Sequence, residues 1–201
     1  MMIRNGLIRQ VINPRSIIQP TYHYQYRSFI TPPSFISSQP QSYTITKIIH
    51  NCNASLLFEI VSSIDQYPSF IPFLQRSFVS SRDEGTGLPL SAGLTVGWKQ
   101  YEEEFICDIT TIMNQRVIAE SVNHSEGSEI FEFLKSEWNF KNVKVKGGLD
   151  KCKVDLKLDY QFKNPLYNSL SSLFNQQITD IMIKAFESRV RQLQKERQIL
   201  Q

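Results

Sequence analysis

The most constraining feature of the chain is a change of hydrophobic period near residue 164. Residues 151–162 alternate without exception between apolar and polar side chains. The apolar positions are Cys152, Val154, Leu156, Leu158, Tyr160 and Phe162. This alternation predicts a strand of an antiparallel sheet with one solvated face. Asn164 is a suitable cap and Pro165 suits the first helical position; apolar residues then recur at spacings of three and four as far as Leu193, and nothing breaks the pattern before residue 197. That spacing predicts one long helix with a broad apolar face.

The segments before this point predict further strands and one short helix. Asn53 is a suitable cap for a helix over residues 54–64. Residues 83–93 are polar and glycine-rich, which predicts a loop with a hairpin turn rather than a phosphate-binding loop. The predicted strands cover residues 43–50, 74–82, 94–101, 103–113, 116–123 and 129–142.

These elements predict an α+β architecture. A sheet with one apolar face must cover that face, and the terminal helix is the one predicted element long enough to do so. We therefore expect a curved antiparallel sheet of about six to seven strands wrapped around the long C-terminal helix, with two short helices after the first strand. Such an arrangement leaves room for a cavity between sheet and helix.

Residues 1–41 differ from the rest of the chain in charge and composition. They hold four arginines, five of the nine prolines and no acidic residue, whereas residues 42–201 carry the other 18 Lys and Arg against all 19 Asp and Glu. An Arg-rich, Ser-containing and acid-free start is typical of a mitochondrial transit peptide. We predict a disordered transit peptide over 1–41 and a folded domain over 42–201. The alternative is a disordered tail without a targeting role.

Residues 67–74, here called the hook, combine two prolines with aromatic and aliphatic side chains. Prolines four residues apart exclude a long helix. An uncharged, apolar segment of this kind is typical of a contact surface. Two interpretations stay open: a gate that touches a membrane and opens a cavity, or a plug packed permanently on the long helix.

The chain lacks the residue spacings of common catalytic and metal sites. Its three cysteines are too scattered for a disulfide framework or a zinc site. Glu103 has the strand parity of Phe105, so it is either an inward general base or headgroup partner, or a rim residue in contact with water. A run of lysines over residues 141–157 is either a solvated hairpin face or a weak site for anionic lipid headgroups.

Large apolar side chains on the buried parity have two interpretations: an ordinary hydrophobic core, or the lining of a site for a long apolar ligand. No catalytic residue, metal site or cofactor is predicted. The candidate ligand-binding residues are Phe70, Ile71 and Phe73 in the hook, with Leu94, Val96, Trp98, Phe105, Trp138, Leu158, Tyr160, Phe174, Ile178 and Met182 by strand parity and helix face.

Five groups of residues, spread over about residues 43–193, carry a resemblance to a known family. They are Tyr67-Pro68-Ser69-Phe70-Ile71-Pro72, Leu94-Thr95-Val96-Gly97-Trp98 with Tyr101 and Phe105, Phe131 with Leu134, Trp138 and Phe140, Asn164-Pro165-Leu166-Tyr167 and Ala185-Phe186-Glu187-Ser188-Arg189. Together they resemble the START and polyketide-cyclase-like helix-grip superfamily, and within it the mitochondrial coenzyme Q-binding proteins. Phe73-Leu74 stands where those proteins usually have Trp-Cys, and Trp98 stands where they usually have Phe.

This resemblance implies a helix-grip fold and a non-enzymatic protein that binds ubiquinone and its isoprenoid tail. It further implies a carrier or chaperone needed for respiration and efficient ubiquinone biosynthesis. Its location would be the matrix side of the mitochondrial inner membrane, with peripheral membrane contact and no nucleic-acid partner. Two rivals remain at this stage: a cyclase- or aromatase-like enzyme that uses Glu103, and a subunit of the quinone biosynthetic assembly that binds no ligand.

Overall fold

The computed structural model describes residues 40–98, 101–121, 131–144, 150–164 and 171–199. The first 39 residues, part of the strands predicted over 116–123 and 129–142, and the helix start predicted at Pro165 lie outside these ranges. The elements in chain order are β1 (Gln41–His50), α1 (Ala54–Ser62), a 3-10 helix (Ile64–Ser69), β2 (Leu74–Arg82), β3 (Pro89–Trp98), β4 (Tyr101–Ile112), β5 (Arg116–Ser121), β6 (Phe131–Val143), β7 (Lys151–Phe162) and α2 (Ser171–Ile199).

The seven strands form one antiparallel sheet in the order β1-β7-β6-β5-β4-β3-β2. The first strand therefore pairs with the last, and every other neighbouring pair is consecutive in the chain. The predicted alternation of β7 is confirmed: its even-numbered residues from Cys152 to Phe162 are all buried. They form the centre of the apolar face that α2 must cover.

The two short helices after β1 are confirmed, and α1 begins where its cap was predicted. The Asn53 side-chain oxygen accepts a hydrogen bond from the Leu56 amide at 2.9 Å. The helix ends at Ser62, two residues earlier than predicted, and the hydroxyls of Ser62 and Ser63 donate to carbonyls of its last turn. The 3-10 helix then carries Pro68, which suits this short, irregular segment.

The prediction of a loop over 83–93 is wrong from Pro89 onward, because β3 begins there. The turn itself is shorter: the Asp83 carboxylate accepts hydrogen bonds from the Thr86 amide and hydroxyl at 2.7 Å, and Gly87 has a φ of +70°. Proline is tolerated at the first residue of a strand because it has no N–H to leave unpaired. Gly93 lies within this strand, and a β-carbon at this position would overlap the Phe78 ring of β2. The close approach of that ring therefore requires glycine here.

The interior face of β6 begins one residue away from its predicted parity. A register irregularity between Phe131 and Phe133 interrupts the pairing of β6 with β7. Phe131 is consequently buried together with Trp138 and Phe140, although their numbers differ in parity. An extra residue in one strand reverses the facing of everything before it. Ile130, which has the same parity as Leu134 and Trp138, lies outside the described residues.

The long helix α2 is held against the sheet by Phe186, which is fully buried. Its ring centroid lies 4.7 Å from Trp138 of β6, 5.4 Å from Tyr67 and 5.2 Å from Phe70. One side chain thus joins the helix, the sheet and the hook. Within the described residues, no helix has the length and apolar character needed to cross a bilayer.

Candidate ligand-binding site

A cavity of about 60 Å³ lies between the interior face of the sheet and α2. Its walls come from α1, the 3-10 helix, four central strands and one residue of α2. The lining residues are Val61, Ile64, Tyr67, Ala92, Leu94, Cys107, Ile109, Val117, Ala119, Ser136, Trp138 and Met182. Antiparallel pairing brings many of them together, since residues directly opposite across two strands share a face.

The cavity wall carries no charge at neutral pH. Burial, together with the nearby charge of Asp108, raises the pKa of the Cys107 thiol to about 12, so it stays protonated. Burial also raises the pKa of the Tyr67 phenol, whose hydroxyl donates a hydrogen bond to the Val61 carbonyl. Such a wall favours an uncharged, apolar ligand.

Three of the predicted site residues line this cavity: Leu94, Trp138 and Met182. Met182 is the α2 residue of the wall, and its half-buried, flexible thioether adapts readily to a changing shape. Ile178 lies one turn earlier on the same helix and is half-buried. Whether any of these side chains contacts a ligand remains a prediction.

Three further predicted residues, Phe105, Leu158 and Tyr160, are buried in the core. Phe105 and Tyr160 pack against the Phe131 ring at 5.8 and 5.9 Å, and Phe162 stacks on Phe131 at 4.9 Å. These rings form an aromatic cluster on the interior face, close to the first residue of β6 and the last residue of β7. The cluster fills that part of the protein interior.

The hook divides into a packed part and an exposed part. The Phe70 ring lies between Tyr67 and Phe186, and the Arg189 guanidinium lies 5.8 Å from its centroid. Ile71 is half-buried against the core. Phe73 is 38% exposed and has a φ of +70°, a conformation that aromatic residues rarely adopt.

Val96 lies at the edge of the site rather than inside it. The residue keeps the strand parity of Leu94, but it is 37% exposed near the end of β3, where it pairs with Leu74 and Glu103. A charge placed at Val96 would therefore reach water. The side chains of Trp98, Glu103 and Phe174 lie outside the described part of the structure, so their proposed contacts remain predictions.

Sequence reasoning missed most of the cavity wall. Ile109, Val117 and Ala119 face inward from neighbouring strands, and each had a recognisable parity. The sequence did not give the register of the strands, so it did not show which positions on different strands lie side by side. Val61 of α1 and Ile64 of the 3-10 helix were likewise on the apolar face of the predicted helix, but the sequence did not indicate what they would enclose.

The described strand lysines of the run, Lys141, Lys151, Lys153 and Lys157, lie on the solvated side of β6 and β7. Lys153 pairs with Asp155 at 2.9 Å, and Lys157 pairs with Asp159 at 2.7 Å. Exposed ion pairs of this kind contribute little to stability, typically about 0–1 kcal/mol. They support the interpretation of a solvated hairpin face.

Comparison with known proteins identifies the family of this chain. The family described as polyketide cyclase/dehydrase and lipid transport matches residues 51–187. The mitochondrial coenzyme Q-binding protein COQ10 of Eremothecium gossypii is 41% identical over 156 residues, which are 76% of this chain and 74% of that protein. The chain belongs to the mitochondrial coenzyme Q-binding protein family. The Saccharomyces cerevisiae member is 37% identical over 152 residues, 74% of this chain and 70% of its own.

Solved structures support the helix-grip fold of this coenzyme Q-binding family member. A START superfamily protein from Mycobacterium smegmatis superposes with a TM-score of 0.61 at 21% identity, over 77% of this chain and 98% of that one. The names of the two relatives describe binding proteins in mitochondria, whereas the wider family description also includes cyclases and dehydrases.

Proposed function

We propose that this chain binds ubiquinone by its isoprenoid tail and ring, and carries it for respiratory electron transport and ubiquinone biosynthesis. The uncharged cavity between the sheet and α2 is the observation that carries this proposal. A polyisoprenoid chain in water costs about 0.8 kcal/mol per exposed CH₂-sized unit. A protein that moves such a chain between partners must therefore shelter it from water.

The closed cavity must enlarge to hold this ligand. Its volume of about 60 Å³ is well below the roughly 300–1,000 Å³ of sites for drug-sized molecules. The side of the cavity opposite the sheet is formed by Met182 of α2 together with Val61, Ile64 and Tyr67. The Phe70 ring packs on Phe186 and so connects the hook to α2. We propose that ligand entry displaces α2 and the hook from the sheet, which keeps its hydrogen-bonded ladder.

Extraction of the purified protein with organic solvent, followed by mass spectrometry, tests the proposed function. A prenylated quinone recovered in near-stoichiometric amount is expected. Turnover of an added polyketide-like or quinone precursor would instead support the enzyme, with Glu103 as its candidate acid or base. Recovery of no lipid, from cells that make ubiquinone, would contradict the carrier.

Peripheral contact with the matrix side of the mitochondrial inner membrane is part of the proposal. Phe73 is the exposed aromatic residue of the hook, and Val96 is exposed where β3 pairs with the first residue of β2. Position 73 is occupied by phenylalanine, although glycine or asparagine would adopt its left-handed backbone at a free-energy cost lower by about 1 kcal/mol. Strain of this kind is often retained for function.

Replacement of Phe73 by glycine is expected to separate membrane binding from stability. The change relieves the backbone strain, so the unfolding midpoint should stay the same or rise. Loss of a ring that inserts on docking, worth roughly 1.5–3 kcal/mol, should weaken binding to liposomes about tenfold or more. Co-sedimentation with anionic liposomes and thermal unfolding measure the two effects.

Phe70→Ser is the matched comparison, because this ring is packed on Phe186 and Tyr67. It should lower the unfolding midpoint whether or not the protein meets a membrane. Unchanged liposome affinity in folded Phe73→Gly would contradict the gate and leave the plug interpretation.

Residues 1–40 are proposed to direct import and to lie outside the fold; the predicted boundary after residue 41 moves by one, because Gln41 pairs with Tyr160 in the sheet. β1 begins at Gln41, so a chain that starts at Pro40 keeps every described element. Its unfolding midpoint should match that of the full chain, while import into isolated mitochondria should be lost. A midpoint several degrees lower would show that the removed residues belong to the folded unit.

A further inference from the structure

Ser136 is a polar residue at an interior position of the apolar face. It lies on β6 between Leu134 and Trp138 on the same face, and it pairs with Ala119 of β5 and Leu158 of β7. All four neighbours are apolar, and Ser136 forms part of the cavity wall. A hydroxyl among apolar residues costs free energy unless it has a hydrogen-bond partner.

The hydroxyl of Ser136 is available to a ligand. It forms no hydrogen bond with the rest of the described chain. Three other side chains of the wall can form hydrogen bonds: the Tyr67 hydroxyl already donates to the Val61 carbonyl, and the Cys107 thiol is a weak donor. The Trp138 indole N–H can donate but cannot accept, so Ser136 is the wall residue that can serve both a quinone carbonyl and a quinol hydroxyl. Ser136 itself is half-buried.

We propose that Ser136 positions the ring of a bound quinone by a hydrogen bond to one ring oxygen, in both the oxidised and the reduced ligand. This inference rests on the proposed function and assigns the ring, rather than the tail, to the centre of β6. A hydroxyl donates to a quinone carbonyl and accepts from a quinol hydroxyl, so it suits both forms. The uncharged lining gives neither form an electrostatic advantage.

Ser136→Ala provides the test, with three ligands: a short-chain ubiquinone, its quinol, and squalene as an isoprenoid without a ring. Loss of one hydrogen bond should weaken binding of quinone and quinol by about three- to tenfold each. Squalene affinity should not change, because it has no oxygen to position. Ser136→Thr keeps the hydroxyl and should restore quinone binding.

Cys107→Ala is the matched cavity variant, since it also removes one atom from the wall. It should change the affinities for quinone and squalene by the same factor, as lost packing contacts do. Equal losses of quinone and squalene affinity in Ser136→Ala, or unchanged quinone affinity, would overturn the role of Ser136 while leaving the carrier intact. Failure of the unmodified protein to bind quinone would overturn the proposed function and this inference with it.

Discussion

Replacing Phe186 by alanine is expected to lower the free energy of unfolding by about 3–5 kcal/mol, the range typical of buried aromatic residues. The effect is large because the Phe186 ring is fully buried and contacts Trp138, Tyr67 and Phe70. Its removal leaves a hole where helix, sheet and hook meet. For a chain of this length the unfolding midpoint should fall on the order of 10 °C, measured by calorimetry or circular dichroism.

Ile199→Ala, in the last turn of the same helix, is the control. Ile199 is 82% exposed, so its truncation should change the free energy of unfolding by less than about 0.5 kcal/mol. A loss below about 1 kcal/mol in Phe186→Ala would mean that α2 is not fastened to the sheet at this residue.

Replacing Ala119 by leucine is expected to exclude the quinone without unfolding the protein. Ala119 lines the cavity from β5, opposite Ile109 and Ser136 on the neighbouring strands. An isobutyl side chain would occupy much of the free volume. Its overlap with a ligand should cost about 1–3 kcal/mol, or roughly five- to a hundredfold in quinone affinity. The unfolding midpoint of the ligand-free protein should stay the same or rise, because a void is filled.

Ile118→Leu is the control. Ile118 directly precedes Ala119 in β5, so its side chain faces the other side of the sheet. Its quinone content after purification should equal that of the unmodified protein. Normal quinone content in a folded Ala119→Leu protein would show that the ligand lies elsewhere.

The strand pattern and the long helix could be predicted because each is a regular repeat. The alternation of β7 and the three-and-four spacing of α2 report the local backbone geometry directly. The start of β3 could not be predicted in this way, because Pro89 and Gly93 are turn residues by composition. Gly93 stays in the strand because the Phe78 ring from β2 occupies the space above it, which is a tertiary contact.

The candidate site was harder to predict than the fold. Strand parity correctly placed Leu94 on the interior face of the sheet. It did not show where the covered part of that face ends, so it did not distinguish Leu94 from the exposed Val96. Parity also fails across an irregular register, as at Phe131. In the hook, the left-handed backbone at Phe73 coincides with an exposed ring, whereas Phe70 packs on α2. Neither placement follows from composition.

The pairing of β1 with β7 has a consequence for how the chain reaches its native state. Strands β2 to β7 join as successive neighbours, each within reach of the one before it, whereas β1 must wait for a partner more than a hundred residues later. Contacts between distant segments slow folding, because a long loop must close before the contacts form. When a chain is synthesised or imported with its N-terminus first, the backbone of β1 stays unpaired until β7, near the other end of the chain, becomes available. Its folding should therefore be completed from the C-terminal half, with β1 the last strand to dock and the segment most dependent on protection during delivery.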